Sequence, residues 1–185
     1  MANGGFATRV EPFSRGQPIT TMPITIGGVS KLQLLEQTKK LRYVSPYAER
    51  IIKADAFTTL EKPQTAIQIM LKVQDFGFTQ MAHVADLLNP KRLSDWSKAH
   101  LDGWEITLNP AEAGPHLAIQ YADQPIDEFL WMAMDRITGY AGRPYLFYIE
   151  RDDDEVFSLD SHWMYPAAPW PLHYTVAFRL QQKAA

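Results

Sequence analysis

Glu112, His116, Gln120 and Asp123 are the residues of this 185-residue chain whose types and spacing come nearest to a reactive set. A carboxylate and an imidazole held together can act as a general acid and base. The same residues, with Gln124 beside them, can instead recognise a ligand without reacting. From His116 the chain alternates, Leu117, Ile119 and Tyr121 against His116, Ala118, Gln120 and Ala122, which is the period of a strand. On that strand His116 and Gln120 share a face, and Glu112 and Asp123 lie at the two bounding turns. Against chemistry stands the ordinary duty of these side chains. Asp and Glu in turns bond nearby amides, and Gln near a bend satisfies backbone groups. A structural role is the favoured reading, ligand recognition the second and catalysis the third.

The elements that must position the set are read from turn chemistry. Asn109-Pro110 opens a short helical turn, since Asn caps amides and Pro fits a first helical position. Gly114-Pro115 ends it, and Asp123-Gln124-Pro125 closes the strand. Pro115 and Pro125 lack an amide donor, so the ladder is expected between them.

Other chemistry finds less support. Asp152, Asp153 and Asp154, with Glu150 and Glu155, read as a solvated hairpin tip, because a calcium loop spreads its ligands over a dozen positions around a sharp-turn Gly. His83, His100, His116, His162 and His173 are scattered without metal-ligand spacing, so no metal and no cofactor is expected. Gly139 to Gly142 matches a GxxG loop only superficially, because it joins strands here rather than helices. Ser158 and Ser161 lie near Asp160 and His162, without a nucleophile elbow. With no cysteine there is no disulfide, thiolate site or thiol nucleophile.

Trp163, Tyr165 and Trp170 sit just before and within a proline-rich connection, YPAAPWPL (165–172), where stiffened aromatics give contact area at low entropy cost. They are candidate interface residues; the competing reading has them folding back to plug a sheet end. At the other terminus, residues 1–28 are rich in Gly and Pro and read as an extended arm. Phe13 and Ile24 are its candidate contacts, and through it the chain is expected to bind a protein partner or to self-associate.

The bulk numbers fit one packed domain, residues 29–185, behind that arm. Hydrophobic residues make up 46% and aromatics 12%, more than a disordered chain carries. A formal charge of -3 gives no general attraction for nucleic acid. No apolar run approaches the roughly 18 residues of a membrane span, and no secretory leader is legible, so a cytoplasmic location is expected.

Ser30 and Ser45-Pro46 each cap a helix, Gln64 to Val73 alternates as a strand, Thr79 caps a helix bearing Val84 and Leu87, and Asn89-Pro90 starts another. Glu128 to Met134 reads as a central strand, Tyr145 to Arg151 and Glu155 to Leu159 as a hairpin, and Tyr174 to Leu180 as a last strand. The fold class expected is α+β, with N-terminal short helices packed on a mainly antiparallel C-terminal sheet.

Several motifs carry a resemblance. Phe57, Thr58, Thr59, Glu61 and Pro63 form Phe-Thr-Thr-x-Glu-x-Pro; Asp75, Gly77 and Phe78 form Asp-x-Gly-Phe; Leu108, Pro110, Glu112, Gly114 and Pro115 precede Gln120, Tyr121, Asp123, Gln124 and Pro125. Over roughly Ser30 to Leu180 the chain resembles a family of small bacterial proteins whose function is not established. Where that family often carries a Cys, this chain has Asn109. The resemblance implies that the central motif matters and names no activity. The functional expectation is therefore a non-catalytic binding or protein-interaction domain. The alternatives are a hydrolytic or nucleic-acid-modifying enzyme using Glu112, His116 and Asp123, and a structural subunit of a larger assembly.

Overall fold

The computed structural model describes residues 20–139, 142–153 and 156–183. In chain order it contains strand β1 (Thr20–Ile26), helix α1 (Lys31–Thr38), β2 (Tyr43–Val44), α2 (Pro46–Lys53), β3 (Gln64–Lys72), a 3-10 turn (Val73–Phe76) and β4 (Ala82–His83). Then come α3 (Val84–Leu87), α4 (Pro90–His100), β5 (Trp104–Thr107), α5 (Ala113–Gln120), β6 (Glu128–Met132) and β7 (Ile137–Thr138). The chain ends with β8 (Pro144–Arg151), β9 (Phe157–Trp163), β10 (Pro169–Trp170) and β11 (Thr175–Gln182). The fold is α+β, built on a large mixed sheet in which antiparallel pairs dominate.

Local chemistry sets the helix starts. Ser30 and Gln33 form a capping box, Gln33 N donating to Ser30 Oγ at 3.3 Å and Ser30 N to Gln33 Oε1 at 2.9 Å. Ser45 takes Ala48 N at 3.0 Å ahead of Pro46, and Asn89 takes Lys91 N at 2.9 Å ahead of Pro90. All three caps stand where the sequence places them. The turn after β3 differs from expectation, because Val73–Phe76 is a 3-10 turn and the next helix starts at Val84 behind His83, not at Thr79.

Among the described residues the main sheet runs β1-β3-β11-β6-β8-β9-β2, with β5 also on β11 and β7 on β8. The β11–β6 and β2–β9 pairs are parallel. First-half strands enter this sheet, so it is not a C-terminal construction alone. Thr20–Ile26, expected inside a free arm, pairs with β3 over its whole length and buries Met22, Ile24 and Ile26 in the core. Their alternation with Thr21, Pro23 and Thr25 supplies the apolar side of an edge strand, a period that the surrounding Gly and Pro obscure.

The second departure is the central motif. Ala113–Gln120 is helix α5, not a strand. Pro115 lies in its first turn, where a missing N–H costs no intrahelical bond, so it starts the helix instead of stopping the turn before it. Every side chain from Ala113 to Ala118 is buried, which leaves no polar face for periodicity to reveal. Gly114 has a packing reason: a Cβ there would stand 3.0 Å from Phe147 Cβ and Cδ2. The third departure is Trp170, expected outside any ladder, which pairs with Ala82 in the two-stranded β4–β10 sheet.

Candidate functional site

Register partners in a sheet project to the same side, so the pairings sort the side chains into two faces. One face holds Met22 and Ile24 of β1, Leu130 of β6, and Phe147 and Ile149 of β8, with Leu159 of β9. Helix α5 packs there against β1, β8 and β9, with α2 against β9 and α1 against both helices. The opposite face holds Ile69, Leu71, Val176 and Phe178 under the 3-10 turn and α4, where Phe76 bridges Phe178 at 5.3 Å and Trp96 at 5.5 Å. This second cover stops at Trp170. Beyond it, β6, β8 and β9 present Phe129, Trp131, Tyr148, Glu150, Asp160 and His162 on the same side.

Phe129, Trp131, Tyr148 and His162 of that half-face form the floor of a recess of about 390 Å³, closed at its rim by the Trp163 to Trp170 connection; Glu150 and Asp160 stand beside the floor, in register with Phe129 and Tyr148. Trp131 is its centre. Its ring lies 4.9 Å from Tyr148, 5.4 Å from Trp170 and 6.2 Å from Tyr174. Trp131 and Trp170 are 6% and 1% exposed, and each indole N–H lacks an acceptor among the described residues. A buried donor without a partner costs free energy, roughly 1–3 kcal/mol each. Tyr148 Oη donates to Asp160 Oδ2 at 3.0 Å; Asp160 Oδ1 also accepts from Ser45 Oγ and Ser161 N. Burial first, then the Asp160 charge, pushes the Tyr148 phenol well above its usual range, so it stays protonated. Glu150 is likewise raised, by burial and then by Asp152, Asp160 and Asp127.

The aromatic connection thus divides. Trp163 and Tyr165 are 40% and 43% exposed at the rim, 5.5 Å apart, with the Arg143 guanidinium 4.5 Å from the Trp163 ring centre. Trp170 folds back into the protein and is not an interface residue. Ile24, 2% exposed in β1, is not one either, since it lies on the face of β1 that α5 packs against. Phe13 lies outside the described residues.

The structure separates the central-motif set. Glu112 and His116 lie one turn apart on the buried start of α5, Oε2 to Nε2 3.7 Å, and neither atom has a hydrogen-bond partner among the described residues. Glu112 Oε1 accepts from Leu60 N at 3.0 Å. Asp123 is exposed past the helix end and does not join them. Gln120 is spent on the sheet edge, where its amide pairs both ways with the Thr25 backbone, N to Oε1 at 2.9 Å and Nε2 to O at 2.8 Å. Gln124 is buried and donates to Glu128 O at 2.9 Å and Ile149 O at 3.3 Å. None of the five lines the recess.

A second recess, about 560 Å³, lies between α4 and the 3-10 turn, lined by Asp75, Asp86, Lys91, Arg92, Asp95 and His100 among others. Its polar groups are largely engaged already: Lys91 with Asp95 at 2.6 Å, Arg92 Nε with Asp86 O at 3.0 Å, and Trp96 Nε1 with Asp75 O at 2.9 Å. No group of His, Asp and Glu suited to a metal ion gathers among the described residues, and no described helix is long and apolar enough to cross a membrane.

Phe129, Trp131, Tyr148 and His162 are the residues sequence reading missed. Their signal was an aromatic or imidazole at alternate positions of three strands, legible only once pairing brings the strands together. No protein-family model matches the chain, and neither a curated protein nor a solved structure does.

Proposed function

We propose that this chain is a non-catalytic binding domain whose ligand seats in the aromatic recess over β6, β8 and β9. The observation that carries this reading is the half-uncovered sheet face itself. Large aromatic side chains are gathered there around a concave opening of ligand size. The first-half helices serve as the brace that holds that face rigid from the far side. Crystals soaked with a set of small aromatic and polar fragments test the reading. Density between Tyr148 and Trp163 is the expected result; fragments confined to the recess beside α4, or absent from both, would refute it.

A protein-interaction surface is the second reading, favoured by the exposed Trp163, Tyr165 and Arg143 at the rim, the residue types that most often anchor interfaces. In it the rim, rather than the segment Thr20–Ile26, meets the partner, since that segment is already paired with β3. The hydrolytic alternative has less behind it: two of its three residues meet, and they meet in the core.

A further inference from the structure

The sheet face that carries the recess floor has a charge pattern as well as a shape. Across β6, β8 and β9 the register rows read Phe129, Glu150, Ser158 and then Trp131, Tyr148, Asp160, with Leu146 and His162 forming the next. Aromatic rings and carboxylates are interleaved, and neither Lys nor Arg stands among them. Phe129 stacks on Tyr148 at 5.0 Å. The Tyr148 hydroxyl donates a hydrogen bond to the Asp160 carboxylate, which enriches the ring in electron density.

Resting on the binding-domain reading, we infer that the ligand of the recess is a small organic cation of the alkylammonium class. The ring faces of Tyr148 and Phe129 attract the charge through their quadrupoles, and Glu150 and Asp160 complement it at longer range. The molecule already makes this kind of contact at the rim, where Arg143 lies 4.5 Å from the Trp163 ring centre. A neutral apolar ligand would leave Glu150 with acidic neighbours and no counter-charge, and an anion would be repelled.

The test is a calorimetric titration of the full chain with choline and with 3,3-dimethylbutan-1-ol, which has the same shape and hydroxyl without the charge. Choline is expected to bind roughly tenfold more tightly than the alcohol. Glu150→Gln and Asp160→Asn are each expected to weaken choline severalfold and leave the alcohol unchanged. Because Asp160 also holds Ser45, Tyr148 and Ser161, Glu150→Gln decides the matter if Asp160→Asn does not fold. Equal binding of the two ligands, or a Glu150→Gln protein that keeps the full preference for choline, overturns the cation and leaves the recess as a site. If neither ligand binds but soaked aromatic fragments do, the cation is again overturned. If nothing enters the recess, the binding-domain reading falls with it.

Discussion

Gln120 pairs with the backbone of Thr25 as a neighbouring strand would, using one donor and one acceptor at the free edge of β1. The alternation that turns Thr25 outward also turns Pro23 outward, where its missing N–H costs no ladder bond. Replacing Gln120 with Ala removes both bonds, and about 1–2 kcal/mol of stability is expected to go with them. Thermal denaturation and faster amide exchange at Thr25 would register the loss. Glu112 makes a sharper comparison. Glu112→Ala strips the acceptor from Leu60 N and is expected to cost about 1–3 kcal/mol. Glu112→Gln keeps that acceptor and offers an amide donor toward His116 Nε2, so chemical denaturation should find it near neutral. A large loss in Glu112→Gln would mean that the charge itself is needed, which the structural account does not provide for. At this scale the sequence was informative about duty: Glu112, Gln120 and Gln124 do satisfy backbone groups, as turn-flanking polar residues commonly do. It was silent about most of that backbone, because only Glu128 lies near its partner Gln124, whereas Leu60, Thr25 and Ile149 are far away along the chain.

Helix α5 shows where local pattern reading fails for an element. A short segment buried on every side has no polar stripe, and four alternating positions fit a strand as readily as a helix. The caps at Ser30, Ser45 and Asn89 were legible because the cap residue and the amides it satisfies are three or fewer positions apart. The recess was not, because its floor comes from three strands whose register is set by tertiary pairing. Gly114→Ala tests the packing of α5. Helix propensity favours Ala by about 1 kcal/mol, yet its Cβ would press on Phe147, and overpacking a closed core costs about 1–3 kcal/mol. A net lowering of the melting temperature is expected; a rise would show that Phe147 yields freely. Strand β8 supplies a pH dependence. Glu150 is raised above its unfolded value, so the folded state binds more protons than the unfolded state between the ordinary carboxylate range, about 4.3, and the raised value. Its contribution is therefore most favourable below that range and is lost as pH rises through the folded pKa. Glu150→Gln should raise the melting temperature at pH 7, with the difference from the parent shrinking toward pH 4.

For the whole molecule, the account is a large sheet with α2 and α5 on one side, α1 packed on those two helices, and a cover on the other side that reaches only as far as Trp170. The α+β class and a mainly antiparallel sheet could be read from the order and periods of the segments. That β1 and β3 join the last strand in one sheet could not, since β1 and β3 pair residues 38 to 50 positions apart and β3 and β11 pair residues 103 to 113 apart. The uncovered half-face is where this architecture meets function, and the five tryptophans of the chain report on it directly. Trp131, Trp163 and Trp170 line the recess, Trp96 belongs to the other recess, and Trp104 lies on β5. The measurement that tests the central claim most directly is a nuclear magnetic resonance titration of the indole N–H signals with choline and neutral fragments. Shifts confined to Trp131, Trp163 and Trp170, with Trp96 and Trp104 still, are the predicted result. Shifts at Trp96 alone, or no shift at any of the five, would contradict the account.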